Sequence, residues 1–431
     1  MYRYFKAENQ GILYINDYLK EFLLFYYFCL PFWVEASNII GFSALSNILP
    51  YLILFFLYLF LCFQEKKVFC IEFFLLLLFV VIFFITTYIL HPEYDYWFTR
   101  PVYGVWDYVL RPDNGIYIYL FIRIIDHPKG IIRAIKCSAI PWYSFYLLKI
   151  FQAYRRGYWI DTSNYGYEIH TSYNLSLGYN LLLFTLVFLY CALEDKKFID
   201  VFGTFIGVLA ILLAGSRGPI VDIVIFLFIY YILKIVKTNS VNEILMYILV
   251  AIAFYLGAVF SLPIFTRIAS DFGFSSRFIE KLLNGEISDI SSRTEIWKAA
   301  IQMIIKRPFG YGAMGSRHVI SKYIFVAHPH QIFLELLIDF GIFVGGIIII
   351  WLLYYTIKLF TMKGNDEWKG LFLVFFARAC QLLVSLTFWH SIGLWGAIAI
   401  GVCALSARSG DMNDYGNSNE KCPKKLNRYI N

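Results

Sequence analysis

Apolar blocks of membrane-crossing length recur along this chain of 431 residues. Ile71–Leu90 and Ile244–Leu262 are two of them, with almost no charge and the length of about 20 residues that spans a hydrocarbon core. Composition agrees: 60% of residues are apolar, 20% aromatic and only 16% charged, with a mean hydropathy of +0.63. An average soluble chain has about a quarter charged and just under half apolar residues. Disorder and a set of water-soluble domains are both excluded. The expected fold class is an all-α polytopic membrane protein.

In such a chain the net charge of +7 reports topology before it reports a partner, because cytoplasmic loops collect Lys and Arg. Nucleic acid is therefore not an expected partner. The eight cysteines show no metal-ligand spacing, and the nearest two, Cys62 and Cys70, are too far apart for a C-x-x-C pair. Seven lie in hydrophobic spans and Cys422 in a polar tail, so no disulfide framework is implied. Phe22–Val34 resembles the core of a signal peptide, but Glu8, Asp17 and Glu21 precede it and no small-residue cleavage site follows.

Twelve spans are expected, at about 15–35, 42–63, 69–90, 104–125, 131–152, 174–192, 198–214, 219–236, 243–262, 330–358, 371–388 and 391–407. With the N-terminus inside, the cytoplasmic stretches are Gln64–Lys67, Asp126–Gly130, Leu193–Lys197, Lys234–Asn242, Thr361–Gly370 and the tail. Most of these carry Lys, which supports the orientation. Asp107, Arg111, Arg133 and Lys136 make spans four and five the least regular. The expected organisation is one transmembrane domain over 1–407 and a disordered cytoplasmic tail over 408–431.

The opposite side receives His91–Val102, Tyr154–Tyr173 and the long segment Pro263–Pro329 between spans nine and ten. A connection of about 65 residues is far beyond the ordinary. Within 263–329, Ser292-Arg293-Thr294-Glu295 reads as a capping box, and Ile296, Trp297, Ala300, Ile301 and Ile304 follow at helical spacing. Pro308 ends that helix, and Gly310, Gly312 and Gly315 make a turn-rich stretch after it. An amphipathic helix on the outer membrane face is the expected picture.

Basic residues on the outer side run against the topology rule. Arg155, Arg156, Arg217, Arg267, Arg277, Arg293, Lys298, Lys306, Arg307, Arg317 and Lys322 all map there. Arg217 lies in the tight turn Gly215-Ser216-Arg217-Gly218-Pro219. It reads either as a snorkelling helix-end arginine or as a planar fork for phosphate oxygens. Six of the seven histidines, all but His127, also map to the outer face or its edge. His328-Pro329-His330-Gln331 opens span ten, where a neutral imidazole can take a proton from a hydroxyl. Glu335 and Asp339 share one face of that span, Asp222 lies about one turn below Arg217, and depth would let Arg378 pair with Asp339. No Walker loop, dinucleotide fingerprint, D-x-D or H-E-x-x-H motif occurs. The suggested chemistry needs no metal or other cofactor: arginines hold a phosphate-bearing donor while a histidine activates an acceptor.

Four short motifs in order resemble the O-antigen ligase and Wzy-type polysaccharide polymerase superfamily. They are the G-S-R-G turn Gly215–Gly218, S-R-x-x-x-W at Ser292–Trp297, R-P-x-G-x-G at Arg307–Gly312, and H-x-x-x-L-E-x-x-x-D-x-G at His330–Gly341. The resemblance implies glycosyl transfer outside the bacterial cytoplasmic membrane, from a glycan on undecaprenyl diphosphate, with a flippase and chain-length regulators as partner proteins. By motif, Arg217 and Arg293 correspond to diphosphate-binding groups, and His330 to the base that deprotonates the acceptor hydroxyl. Gln331 stands where the family commonly has Asn, and His328 is a second candidate for the base. Arg155, Arg156, Arg307 and Glu335 are further candidate substrate-binding residues.

Polymerase and ligase differ in acceptor. Arg155 to Gly166 fits one R-x10-G loop of the kind described for polymerases, while 263–329 holds no second one. The sequence leans towards polymerase, with O-antigen ligase as the alternative and a lipid-linked glycan flippase as a third. A flippase would string polar residues along a central cavity, whereas here they gather at one face.

Overall fold

The computed structural model describes residues 2–39, 48–65, 68–100, 104–162, 168–171, 174–238, 242, 290–322 and 328–418. Span nine, residues 263–289 and 323–327 of the long outer segment, and residues 419–431 of the tail lie outside them. Helices dominate: α1 (Tyr2–Ile39), α2 (Leu49–Gln64), α3 (Ile71–Leu90), the short α4 (Asp95–Thr99) and α5 (Tyr117–Arg123), then α6 (Pro128–Arg156). After a small hairpin come α7 (Leu175–Asp195), α8 (Phe198–Leu213), α9 (Arg217–Lys237), α10 (Ile290–Lys306), α11 (Gly315–Ile320), α12 (Ile332–Thr361), α13 (Asp366–Ala379) and α14 (Ile392–Ser418). Among the described residues, four helices are long and apolar enough to cross a bilayer: α3, α7, α9 and α12. Three shorter apolar helical stretches, Leu49–Gln64, Phe198–Leu213 and Ile392–Ala407, accompany them.

One apolar core runs through the bundle, with α1 against α2 and α6, α7 against α8 and α13, and α13 against α14. Large side chains on the outside of α3 and α12, among them Leu75, Phe79, Phe343, Ile347 and Ile350, are exposed, as expected of helices that face lipid.

Charges within the bundle are paired, as low dielectric demands. Lys136 of α6 meets the fully buried Asp200 of α8 at 2.6 Å. Arg123 meets Glu72 at 2.6 Å, and Arg133 lies 3.4 Å from Glu21. Ion pairs also gather the helix ends rich in lysine: Lys129 with Glu367 at 3.3 Å, Lys234 with Glu194 at 2.8 Å, and Lys237 with Asp366. The first residues of α9 and α12 and the last of α6 therefore lie at the opposite end, together with the sequence-derived site residues.

Four features depart from expectation. Residues 104–125 are not one continuous helix: a single turn, Trp106–Leu110, is followed by α5. Arg111 between them binds Asp107 at 2.8 Å and Asp113 at 2.5 Å, and the Asn114 amide donates to the Asp107 carbonyl at 2.6 Å. These local bonds compete with the helix ladder. Secondly, Trp159–Thr162 and Glu168–Thr171 form an antiparallel hairpin, with Ile160 opposite His170, in a stretch expected to be a plain loop. Thirdly, α13 stops at Ala379, and residues 380–391 continue as two short 3-10 turns, Cys380–Leu383 and Phe388–His390, joined by irregular chain. Lastly, α12 is interrupted at Gly341, with φ 80 and ψ 171.

Candidate active site

The interruption at Gly341 is the joint on which the site is built. Pro308 stops α10, and the chain then inserts beside α12. The amides of Tyr311 and Gly312 donate to the carbonyls of Ile338 (2.8 Å) and Asp339 (3.0 Å), while the Ile342 amide donates to the Pro308 carbonyl at 2.8 Å. Ordinarily the amides of residues 342 and 343 would take those two α12 carbonyls, so the inserted loop satisfies the groups that the break releases. Gly310 has φ 90, and a Cβ there would lie 2.6 Å from the Gly341 nitrogen. One on Gly341 would lie 2.5 Å from the Phe309 carbonyl carbon. The R-P-x-G-x-G run and the final glycine of the H-x-x-x-L-E-x-x-x-D-x-G stretch thus form a single structural unit.

At the start of α12, the Gln331 side chain caps the helix by accepting from the Leu334 amide at 2.6 Å. His330 precedes it in the left-handed region, φ 54, which few non-glycine residues adopt. Its ring lies 4.1 Å, centre to centre, from that of His328. Neither ring nitrogen of His328 has a hydrogen-bond partner among the described residues. Arg293, in the first turns of α10, is near enough for its charge to bear on His330.

Arg317 of α11 lies at the centre of the group. It is buried, with its guanidinium 4.4 Å from the Tyr108 ring centre and 5.9 Å from that of Trp97. Its charge bears on His328, His330 and His390. His390 packs edge-on against Tyr108 at 4.6 Å. Burial, followed by Arg293 and Arg317, pushes the His330 pKa down to about 4. Burial, followed by Arg317 and Arg111, pushes that of His390 down to about 3. Burial also holds His328 well below the ordinary value, with His330, Arg317 and His390 adding to the effect. All three imidazoles are neutral at pH 7 and can accept a proton.

Glu335 is buried and fully engaged. It accepts from the Thr387 hydroxyl at 2.6 Å and from the Phe388 amide at 3.4 Å. Ser316 and Trp389 hydrogen-bond Asp339. The two carboxylates thereby tie the 387–390 loop and α11 to α12, which delivers His390 and Arg317 to the site. Arg378 does not pair with Asp339 as its depth suggested. It faces Asp222, lies 5.4 Å from the Tyr179 ring centre, and donates to Gln381.

The remaining candidates are placed as follows. Arg217 is the first residue of α9, in a turn locked by close packing of Ser216 on Gly178 and of Tyr179 on Gly218. Its side chain lies outside the described residues. Arg307 is 2.9 Å from His91, which pairs with Glu93 at 2.8 Å. No described contact joins Arg307 to His330. Arg155 and Arg156 end α6 as exposed residues, and no described contact joins them to the histidines either.

Sequence reasoning did not select Arg317 or His390 as site residues. The outward position of both was readable, but burial among aromatic rings and carboxylates was the deciding signal, and it exists only in three dimensions. Among the described residues, no three His, Cys, Asp or Glu side chains group as metal ligands.

A family model described as O-Antigen ligase matches residues 202–350, the stretch that holds all four motifs. The similarity is to the O-antigen ligase superfamily. Over 208 residues, 45% of this chain, the sequence is 27% identical to the ComP-specific O-oligosaccharyltransferase of Acinetobacter baylyi. The match covers 36% of that protein's length. No solved structure matches. Both likenesses are to proteins of the O-antigen ligase type.

Proposed function

We propose that this protein transfers a glycan from a polyprenyl diphosphate carrier, undecaprenyl diphosphate in bacteria, to an acceptor hydroxyl at the outer face of the cytoplasmic membrane. The observation that carries the reading is the neutral His330, beside Arg293 and next to His328, at the end of the bundle away from the lysine-rich helix ends. That polarity supports cytoplasmic termini and an extracytoplasmic site, by the positive-inside rule. The twelve-span layout, with 1–407 as one transmembrane domain, belongs to the same reading.

The chemistry follows from the groups present. His330 takes the proton of the acceptor hydroxyl as its oxygen forms the new bond to the anomeric carbon. The bond from that carbon to the phosphate oxygen breaks, and its electron pair leaves with the diphosphate. Direct displacement of this kind inverts the anomeric centre. Arg293 and Arg217 neutralise the departing diphosphate, for which a planar guanidinium is suited. No metal is called on, since the cations are side chains.

The names of the matching family and of the similar protein favour transfer of a preassembled glycan to a separate acceptor. Polymerisation of repeat units, with flippase and chain-length regulators as partners, is the second reading, carried by the Arg155 to Gly166 spacing. What accumulates on deletion tests both. Long chains left on the lipid carrier mark a transferase of the ligase type, and single repeat units on the final acceptor mark a polymerase. Unchanged glycans of both kinds would refute the proposal.

A further inference from the structure

A cavity opens in the bundle between α1, α6, α7 and α13. It encloses about 560 Å³ including its open mouth, within the roughly 300–1,000 Å³ of small-molecule sites. Pro31 of α1 and Asn180 of α7 are its exposed lining residues and mark the mouth, while Trp142, Tyr179 and Arg378 line it as buried ones. Two sets of contacts set it between the turn that carries Arg217 and the loop that carries His390. Tyr179 packs so closely on Gly218 that a Cβ there would lie 1.8 Å from its hydroxyl. On the other side, Asp113 lines the cavity two residues before Gly115, where a Cβ would lie 2.6 Å from the His390 carbonyl carbon. Ile392, two residues after His390, lines it as well.

The wall combines fixed aromatic rings with planar polar groups. The Trp142 indole N–H donates to the Phe28 carbonyl at 2.8 Å, and the Tyr27 hydroxyl donates to the Asn114 carbonyl at 2.9 Å, so both rings are held before any ligand arrives. Asp113, Asn180 and Arg378 line the same space. Arg111 holds Asp113 at 2.5 Å, the Asn180 amide donates to the Tyr146 hydroxyl at 2.8 Å, and Arg378 donates to Gln381. A carboxylate, an amide and a guanidinium each have more hydrogen-bonding sites than one such bond uses. A sugar ring has the matching surfaces, an apolar C–H face that lies on an aromatic ring and a rim of hydroxyls. An isoprenoid chain would desolvate all three polar groups and bond to none of them. We propose that the cavity is a sugar subsite that takes one ring of the donor glycan, stacked on the aromatic wall with its hydroxyls bonded to Asp113, Asn180 and Arg378. The donor is preferred to the acceptor because Tyr179 joins the cavity to the Arg217 turn, assigned above to the diphosphate. The inference rests on the transfer reading for which glycan is present, and on the cavity for where one ring of it sits.

The test is binding of lipid-free glycan, released by mild acid from the host cell's carrier-linked donor, to the purified full-length protein in detergent. Saturation-transfer NMR reads the titration. Leu183→Phe adds a ring to the cavity wall, and Asn180→Trp covers the mouth from an exposed position that needs no repacking. Wild type should bind the glycan, and each variant should bind it about tenfold more weakly, with thermal unfolding as the check on folding. Bare undecaprenyl phosphate should not displace it. Four results would overturn the proposal: no binding by wild type, undiminished binding by the folded variants, displacement by the bare carrier, or a loss confined to the acceptor's glycan. Binding is read without transfer. Normal binding by a protein that moves no glycan therefore removes the transfer reading and leaves the subsite. Undiminished binding and transfer by both variants remove the subsite and leave the transfer reading.

Discussion

Gly310 and Gly341 touch backbone to backbone, 31 positions apart, and that contact splits Ile332–Thr361 into a short site-bearing helix and a longer lipid-facing one. Gly341→Ala should therefore damage stability as well as activity. Its φ of 80 costs a side chain about 1–3 kcal/mol before the clash with Phe309 is added. Thermal unfolding in detergent should show a clear drop, with Gly346→Ala, where a Cβ meets nothing, as the unaffected control.

Thr387→Val should uncouple the His390 loop from α12. The Glu335 carboxylate would lose its shortest hydrogen bond while staying buried, a cost of about 1–3 kcal/mol. Thr387→Ser keeps the hydroxyl and should keep transfer. Equal activity of the Val and Ser variants would show that the tie does not matter.

Arg378 should depend on Asp222 and not on Asp339. Asp222→Asn removes the carboxylate whose charge bears on the buried Arg378 guanidinium, and the melting temperature should fall. Reversing both charges, Asp222→Arg with Arg378→Asp, should recover part of the melting temperature. Recovery by reversing Arg378 with Asp339 instead would contradict the arrangement found.

Acid should act late on catalysis. With the His330 pKa at about 4, kcat/KM for transfer should stay level from pH 8 to about 5 and fall only below that. Stability has the opposite emphasis. The unfolded chain takes up protons near 6.5 that the three half-buried imidazoles refuse, so their contribution is complete above that pH and declines as pH falls towards the folded values. An acid limb near pH 6.5 in kcat/KM would argue against a depressed base.

Much of this was readable from residue order. Uncharged blocks coincide with α3, α7, α9 and α12, the four described helices long and apolar enough to cross a bilayer, while α10, Ile290–Lys306, begins two residues before the Ser292 that the capping pattern marked as its cap. The motifs named His330 and Arg293, and the charge of the second bears on the first. What escaped depends on distant pairing. Ile332–Thr361 is a continuous apolar run that by itself would form an unbroken helix, and only the inserted Pro308–Gly312 backbone explains the interruption. Residues 104–125 looked like a span because their apolar content hid the Arg111–Asp113 bonding. Arg317 read as one more outward cation, since no local pattern says that Tyr108 and Trp97 will close over it. His390 lies beyond the family-like region, on a loop that Thr387 and Phe388 tie to Glu335.

Reconstitution offers the sharpest trial. Purified protein in lipid vesicles would be given a polyprenyl-diphosphate-linked glycan and an acceptor, and product would be followed by gel mobility and mass. Wild type should form a glycosylated acceptor and free polyprenyl diphosphate, while His330→Ala and Arg293→Ala, present at equal amounts, should form neither. Undiminished product from His330→Ala would contradict the assignment of the base.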